Sequence, residues 1–522
     1  MLPARPFPKL SLEVRALAWS AIDSIRTTPR LTLASVWEAL PLSLAMMAGG
    51  LTGIPLSDFW WHLRLGQVIW TQRWLGPGDI FSFTTPGAFA PPVQWLGELY
   101  LYFVYSLGGL ELVLLANALL LAVVVWLIQR AVRVAGGGQR LSAVVTMAFV
   151  FACVLPNLDA RPQIIGFVVF AFWSLLLVRY LRGLRSPLWL VFPTAVIWNN
   201  ANGTVIVGAG LLATVWVGEA LQARLGARLR LRQAGLRLRG LGLAAASIPA
   251  AMLMNPWGLD LFGYLKDYVT DVKMRQLISE WRPPTVDTLW GLLFFALLLT
   301  SIGCLALAPR RLDLTELLVF LVFAALAIQA QRNSVWFGIV AAPIVGTRLQ
   351  SIIDLWPRPI QSPERVGLNY LLAGTLVALT VLALPWFRQS LPLPAGQRQL
   401  IDKTTPVTAV EYAASHFPSE RFFHPYTYGS YMVWATYGRL PVFIDGRYNH
   451  YAPAGVMEDY RRIIQAEDWE NALAKYGIRH VMLSLDSGEA SSMKPLLREM
   501  RRSPGWRAVY EDEHAVIFVA AE

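Results

Sequence analysis

Ser57-Asp58-Phe59-Trp60-Trp61-His62-Leu63-Arg64-Leu65-Gly66 follows directly on an apolar run, Leu31–Leu56. It opens a polar stretch, 57–109, in which Asp58, His62, Arg64, Arg73, Asp79 and Glu98 stand among Trp60, Trp61, Trp70, Trp74 and Trp95. Indole rings, apolar but for one N–H, concentrate at a water–lipid boundary. The run therefore reads as a membrane span and the stretch as a loop on the membrane surface. Helical spacing puts Asp58 one turn from His62, an i,i+4 pair with Trp61 and Arg64 beside it. Such a pair suits a divalent cation or an acid–base couple.

The composition agrees with a membrane solvent. Of 522 residues 55% are hydrophobic and 15% charged, with a mean hydropathy of +0.45, the balance of an integral membrane protein rather than a soluble core. About eleven spans are expected, at roughly 31–56, 110–128, 141–155, 164–181, 188–198, 204–221, 241–254, 289–308, 314–328, 335–355 and 368–386. The fold class is thus a polytopic α-helical membrane protein, with a basic cytosolic segment over 1–30 and a transmembrane region over 31–386 carrying external loops 57–109 and 255–287.

Basic residues orient it. Arg130, Arg133, Arg140, Arg179, Arg182, Arg185, Arg310, Arg311, Arg348, Arg358 and Arg365 all fall on the side of the N-terminus, as does the run from Arg224 to Arg239. By the positive-inside rule that side is cytoplasmic, so the Asp58 loop and the C-terminus are extracytoplasmic. A net charge of +11 spread this way reads as contact with anionic lipid and excludes a nucleic-acid partner. Cys153 and Cys304 lie inside spans and read as apolar filler, not as a disulfide or metal site.

After Trp386 acidic residues become frequent, and 387–522 reads as a small extracytoplasmic α/β domain. Helices are expected over Pro406–His416 and Met457–Tyr476, strands at Pro441–Phe443 and His480–Leu485, and a closing hairpin from Arg507–Tyr510 and His514–Val519. No glycine-rich phosphate loop or nucleophile elbow occurs there, so the expected role is to cover or shape a site made by the membrane part. Further external features are Asn157-Leu158-Asp159-Ala160-Arg161-Pro162 after the third span, the turn Trp198-Asn199-Asn200-Ala201-Asn202-Gly203, and the loop 255–287 with Lys273, Arg275, Glu280 and Trp281. The asparagine amides suit either a sugar contact or a helix cap and turn.

These residues, in this order, resemble the GT-C superfamily of polyprenyl-phosphate-dependent glycosyltransferases, with the nearest likeness to oligosaccharyltransferase catalytic subunits. The resemblance rests on Asp58 just after the first span, on Asp159 in the second external loop, and on Leu277-Ile278-Ser279-Glu280 in the long loop. Arg332 in Gln331-Arg332-Asn333 matches an external arginine at the donor phosphate. Pro77-Gly78-Asp79-Ile80-Phe81-Ser82 and Val442-Phe443-Ile444-Asp445-Gly446-Arg447 also look like bacterial members of this superfamily. Two departures stand out. Asp159 is followed by Ala160-Arg161 where the family has a second acid, and Pro425-Tyr426-Thr427-Tyr428-Gly429 keeps only the Tyr-Gly of the family's Trp-Trp-Asp-Tyr-Gly.

The resemblance implies a multi-pass enzyme of a bacterial inner (plasma) membrane, moving sugar from a polyprenyl phosphate or diphosphate to an external acceptor, which is a glycan, lipid or protein. Asp58, Glu280 and Asp159 are then the expected catalytic acids; Arg332, Lys273 and Arg161 the donor-phosphate contacts; Trp61, Asn200, Asn202 and Tyr428 the acceptor or sugar contacts; and Asp58, His62 and Asp159 the ligands of a Mg²⁺ or Mn²⁺ ion. The competing readings are a lipid or solute transporter, which calls for ionisable residues within the spans, and a non-catalytic envelope-assembly scaffold.

Overall fold

A computed structural model describes residues 31–225, 231–263, 266, 279–357, 363–393, 398–486 and 490–521. Thr32 accepts a hydrogen bond from the Ser35 N–H (3.2 Å) and so starts helix α1, Leu33–Leu51. A short α2 (Phe59–Gln72) follows, then the 41-residue α3 (Trp95–Ala135). Gly108 and Gly109 break α3; Gly109 has φ +64, a conformation that costs other residues strain. The break falls just before Leu110, where the sequence places the start of a span.

Helix α4 (Gln139–Phe149) passes into a π turn (Val150–Val154) and a 3-10 turn (Leu155–Asn157). Pro156 lacks the N–H that would continue the α ladder there. Next come α5 (Gln163–Leu181), α6 (Val191–Ala201), α7 (Val205–Leu225), α8 (Leu231–Leu253), α9 (Leu289–Leu307), α10 (Leu314–Gln329), α11 (Ser334–Ile353) and α12 (Val366–Leu382). Among the described residues eight helices are long and apolar enough to cross a membrane, while α10 and α12 are apolar but shorter. The expected span at 188–198 corresponds to the 11-residue α6 behind a 3-10 turn.

Helix α11 is the bundle's axis, buried from Ser334 to Arg348. Its Trp336 meets Phe170 (ring centroids 4.9 Å) and Phe167 (5.1 Å), and Trp198 meets Trp173 (5.4 Å), an edge-on aromatic cluster of the kind that adds stability beyond area burial. At the far end Arg348 Nη1 donates to Glu316 Oε1 (2.8 Å), and Asp313 and Glu316 form a capping box that starts α10.

The C-terminal part holds α13 (Val407–His416), β1 (Phe422–Phe423), α14 (Tyr426–Ala435), α15 (Tyr448–Tyr451), α16 (Val456–Ile464), α17 (Trp469–Lys475), β2 (His480–Ser484), α18 (Ala490–Arg502), β3 (Trp506–Glu511) and β4 (Ala515–Ala520). Its four-stranded sheet has the order β1-β2-β4-β3, with β1 parallel to β2 and the other pairs antiparallel. Two expectations differ in form. The long helix over Met457–Tyr476 is two, separated where Ala466 (φ 59) and Asp468 (φ 49) turn left-handed. The strand at Pro441–Phe443 lies outside the sheet and pairs with the first external loop: Val442 N–H donates to Phe81 O (3.2 Å), and Phe83 N–H to Val442 O (3.1 Å). That pairing, with Trp60 edge-on to Tyr431 of α14 (5.1 Å), seats the C-terminal part on the loop after α1.

Candidate active site

Three carboxylates from three separate loops meet at one guanidinium. Asp58 occupies the N-cap position of α2 but makes no capping bond with its side chain. Its Oδ2 instead lies 3.1 Å from Arg161 Nη1, while Arg161 Nη2 lies 2.8 Å from Asp159 Oδ2 and 3.1 Å from Glu280 Oε1. The same Nη2 donates to Ser57 Oγ (3.1 Å). A tight turn before α5, with Arg161 N–H donating to Asp159 O (2.8 Å), aims both side chains at the centre. Arg332 adds a second cation, its Nη1 4.0 Å from Glu280 Oε2 and its guanidinium over the Trp281 ring at 4.5 Å, close enough for cation–π attraction.

The environments of the acids differ. Burial pushes Asp58 above the usual carboxylate range, with Arg161 opposing and Glu280 reinforcing the shift. Glu280 is held below that range, chiefly by Arg161. Arg161 itself is kept firmly charged: burial disfavours the cation, but Asp58, Asp159 and Glu280 together outweigh it. Neighbouring carboxyls driven in opposite directions are a recurrent way of separating a proton acceptor from a permanent anion.

A crevice of about 10 Å³, room for about one water, lies beside Arg161 between α3 and α5 against Leu101, Val104, Val113 and Asn117.

Comparison with solved structures gives the fold. The oligosaccharyltransferase of Archaeoglobus fulgidus, solved with a tethered acceptor peptide containing the NVT sequon, matches at a TM-score of 0.53 and 13% identity, over 93% of this chain and 74% of that one. The same archaeal enzyme in complex with an inhibitory peptide and a dolichol-phosphate matches at 0.50 and 13% identity, again over 93% and 74%. The chain shares the fold of this oligosaccharyltransferase. No protein-family profile and no curated protein matches it in sequence.

Of the expected site residues, Asp58, Asp159, Arg161, Glu280 and Arg332 come together, and Trp61 stands beside Asp58. Lys273 lies outside the described residues. His62 is a correction. Its Nδ1 lies 3.1 Å from Glu98 Oε1, both side chains buried, so it does not join Asp58. His62 pairs with Glu98 of α3, whereas Asp58, at the helix start, pairs with Arg161. Among the described residues no three His, Cys, Asp or Glu side chains are arranged to hold a metal.

The amides are corrections too. Asn200 is consumed by Trp95 Nε1, which donates to its Oδ1 (2.7 Å), and by Met254 O, which accepts from its Nδ2 (2.8 Å). Asn202 caps α6, accepts from Thr204 N–H (3.1 Å) and donates to Gln94 Oε1 (2.9 Å), the cap-and-turn alternative. Tyr428 is buried with its hydroxyl donated to His514 O (2.9 Å), away from the acids.

Two residues earlier, Tyr426 takes the position expected of Tyr428. Its hydroxyl donates to Gly446 O (2.9 Å), and burial followed by the Asp58 charge pushes the phenol well above its ordinary value. Gly446 lies against the site so closely that a Cβ there would fall 2.0 Å from Asp58 Oδ1 and 2.7 Å from Trp61 Nε1. Only glycine fits. The sequence signal for it is the Asp445-Gly446 turn.

That turn is pinned from the loop side. Arg447 Nη2 donates to Asp445 Oδ2 (2.6 Å) and Asp79 Oδ1 (2.8 Å), and its Nε to Asp445 Oδ1 (2.8 Å). His450 Nε2 lies 3.1 Å from Asp79 Oδ2 and 2.7 Å from Thr85 Oγ1. The two sequence motifs that held Asp79 and Arg447 therefore meet in one buried network, a single step along the chain from the glycine that touches Asp58.

Proposed function

We propose that this protein is a membrane glycosyltransferase that moves a sugar from a polyprenyl phosphate or diphosphate to an acceptor on the external face of the membrane. The observation that carries this reading is the convergence of Asp58, Asp159 and Glu280 on Arg161 in a chain that shares the fold of an oligosaccharyltransferase. The dolichol-phosphate held by the archaeal enzyme supports a polyprenyl carrier.

The chemistry suits the residues. The acceptor heteroatom attacks the anomeric carbon as the bond from that carbon to the carrier's phosphate oxygen breaks, and the phosphate leaves with the electron pair. The carrier is already a good leaving group, so a strong general acid is unnecessary. Charge building on it is met by Arg332, and by Lys273 from the long loop, through electrostatic stabilisation near a low-dielectric surface. Asp58 takes the acceptor's proton. Glu280, held below the usual carboxylate range, and Asp159 fix Arg161, while the isoprenoid tail lies among the apolar spans. Trp61, Tyr426 and the turn at Gly446 form the acceptor side.

The reading is tested in cells. Deleting the gene should deplete one envelope glycan and build up its polyprenyl-linked precursor, with rescue by the wild-type chain and not by Asp58→Asn. An unchanged set of lipid-linked sugars and glycans would refute transfer. Orientation is tested by reporter fusions: one after Glu522 should be active outside the cytoplasm and one after Arg232 inside. The reverse result would put the acids on the wrong side for an external acceptor.

A further inference from the structure

The likeness to oligosaccharyltransferases raises a divalent metal among these acids, and the residues present do not accommodate one. Arg161 already occupies the space between them, reaching Asp58, Asp159 and Glu280 with the two terminal nitrogens of one guanidinium. Its side chain is only 11% exposed and is fixed by a fourth contact to Ser57. A divalent ion bound by the same carboxylates would have to share that space with a cation that cannot lose its proton. The sequence departs at the same point, with Ala160-Arg161 following Asp159 where the related family carries a second acid. His62, the remaining expected ligand, is committed to Glu98.

We propose that Arg161 is the resident cation of this site, taking the place of a divalent metal and keeping one from binding. A planar guanidinium can hold three carboxylates only in fixed directions, so Arg161 also sets the aim of Asp58. It acts as a positioning residue, through the acids. Extending this to metal-free transfer rests on the glycosyltransferase reading; the exclusion of metal by Arg161 does not.

The test uses Mn²⁺ as the probe on the full-length chelator-stripped protein, with electron paramagnetic resonance of bound ion and thermal midpoint as readouts. Wild type and Arg161→Lys, which keeps the positive charge, should show no saturable site at millimolar Mn²⁺. Arg161→Ala should gain one, with a midpoint that rises as Mn²⁺ is added, because a ligand bound only by the folded state stabilises it by mass action. Adding Asp58→Asn to Arg161→Ala should remove the gained site. A saturable Mn²⁺ site in wild type that Asp58→Asn abolishes would overturn the proposal, and so would a folded Arg161→Ala protein that still binds none. Should Arg161→Ala not fold, wild type and Arg161→Lys decide by the same criterion. Failure to detect sugar transfer under any condition counts against the function and leaves these binding results standing, whereas transfer abolished by chelator and restored by Mn²⁺ overturns the metal-free site alone.

Discussion

Asp58→Asn should lower sugar transfer by about 100-fold or more, the loss typical of removing a positioned acid–base group, while the purified protein keeps its yield and melting temperature. The separation of the two effects follows from the carboxyl's surroundings. Its folded pKa is raised by burial, so the charged form opposes folding. A carboxyl with a raised folded pKa favours the folded state below its unfolded value, and that benefit is lost as pH climbs through the folded value. At neutral pH a neutral amide therefore costs little. Arg161 keeps two of its three carboxylates, Asp159 and Glu280. The pH profile supplies a second readout. If Asp58 must be ionised to accept a proton, the acid limb of kcat/KM lies above the ordinary aspartate range in wild type and is missing from the residual activity of Asp58→Asn. An Asp58→Asn protein with full activity would end the proposed mechanism.

Asp58 and Asp159 were legible because each stands near the end of an apolar run, and Glu280 because it lies in the long external loop. Hydropathy places the run, arginine asymmetry assigns the side, and Asp58, Asp159 and Glu280 fall on one face before any contact is known. What the linear pattern misses is where a side chain turns. The spacing of Asp58 and His62 suited a pair, yet α2 is buried on all sides from Phe59 to Leu63, and His62 meets Glu98 of α3 instead. Arg161 was expected at the donor phosphate through the family resemblance; two of its three acidic partners, Asp58 and Glu280, come from loops distant in sequence. The C-terminal contribution was hidden for the same reason. Asp79 and Arg447 are 368 positions apart, and neither motif names the other. The choice between Tyr426 and Tyr428 depends on the rotation of α14, whose mixed sequence has no one-sided apolar pattern to specify it.

The largest stability effect is expected at the junction between the external loop and the C-terminal part. Arg447→Met should destabilise the folded chain by about 3–5 kcal/mol, the usual cost of stripping one partner from a buried ion pair. The side chains of Asp79 and Asp445 are 0% exposed, and Arg447 is the cation between them. Methionine keeps much of the length and apolar contact but leaves two carboxylates facing one another without water. Arg447→Lys should lie in between, since an ammonium cannot reproduce the fork that reaches Asp445 through Nε and Nη2. Acid should imitate the variant. Burial alone would raise Asp79, but the His450 hydrogen bond and Arg447 prevail and hold it well below the carboxylate range. That stabilisation is complete above the unfolded aspartate value of ~4 and fades as pH falls beneath it towards the folded value. Thermal melts of the detergent-solubilised protein across that range should show a slope in wild type that Asp79→Asn flattens. Transfer should fall as well, even where Arg447→Met remains folded, because Gly446 adjoins Arg447 and presses on Asp58. A folded Arg447→Met protein with wild-type melting and wild-type transfer would show that the buried network neither holds the C-terminal part in place nor shapes the site.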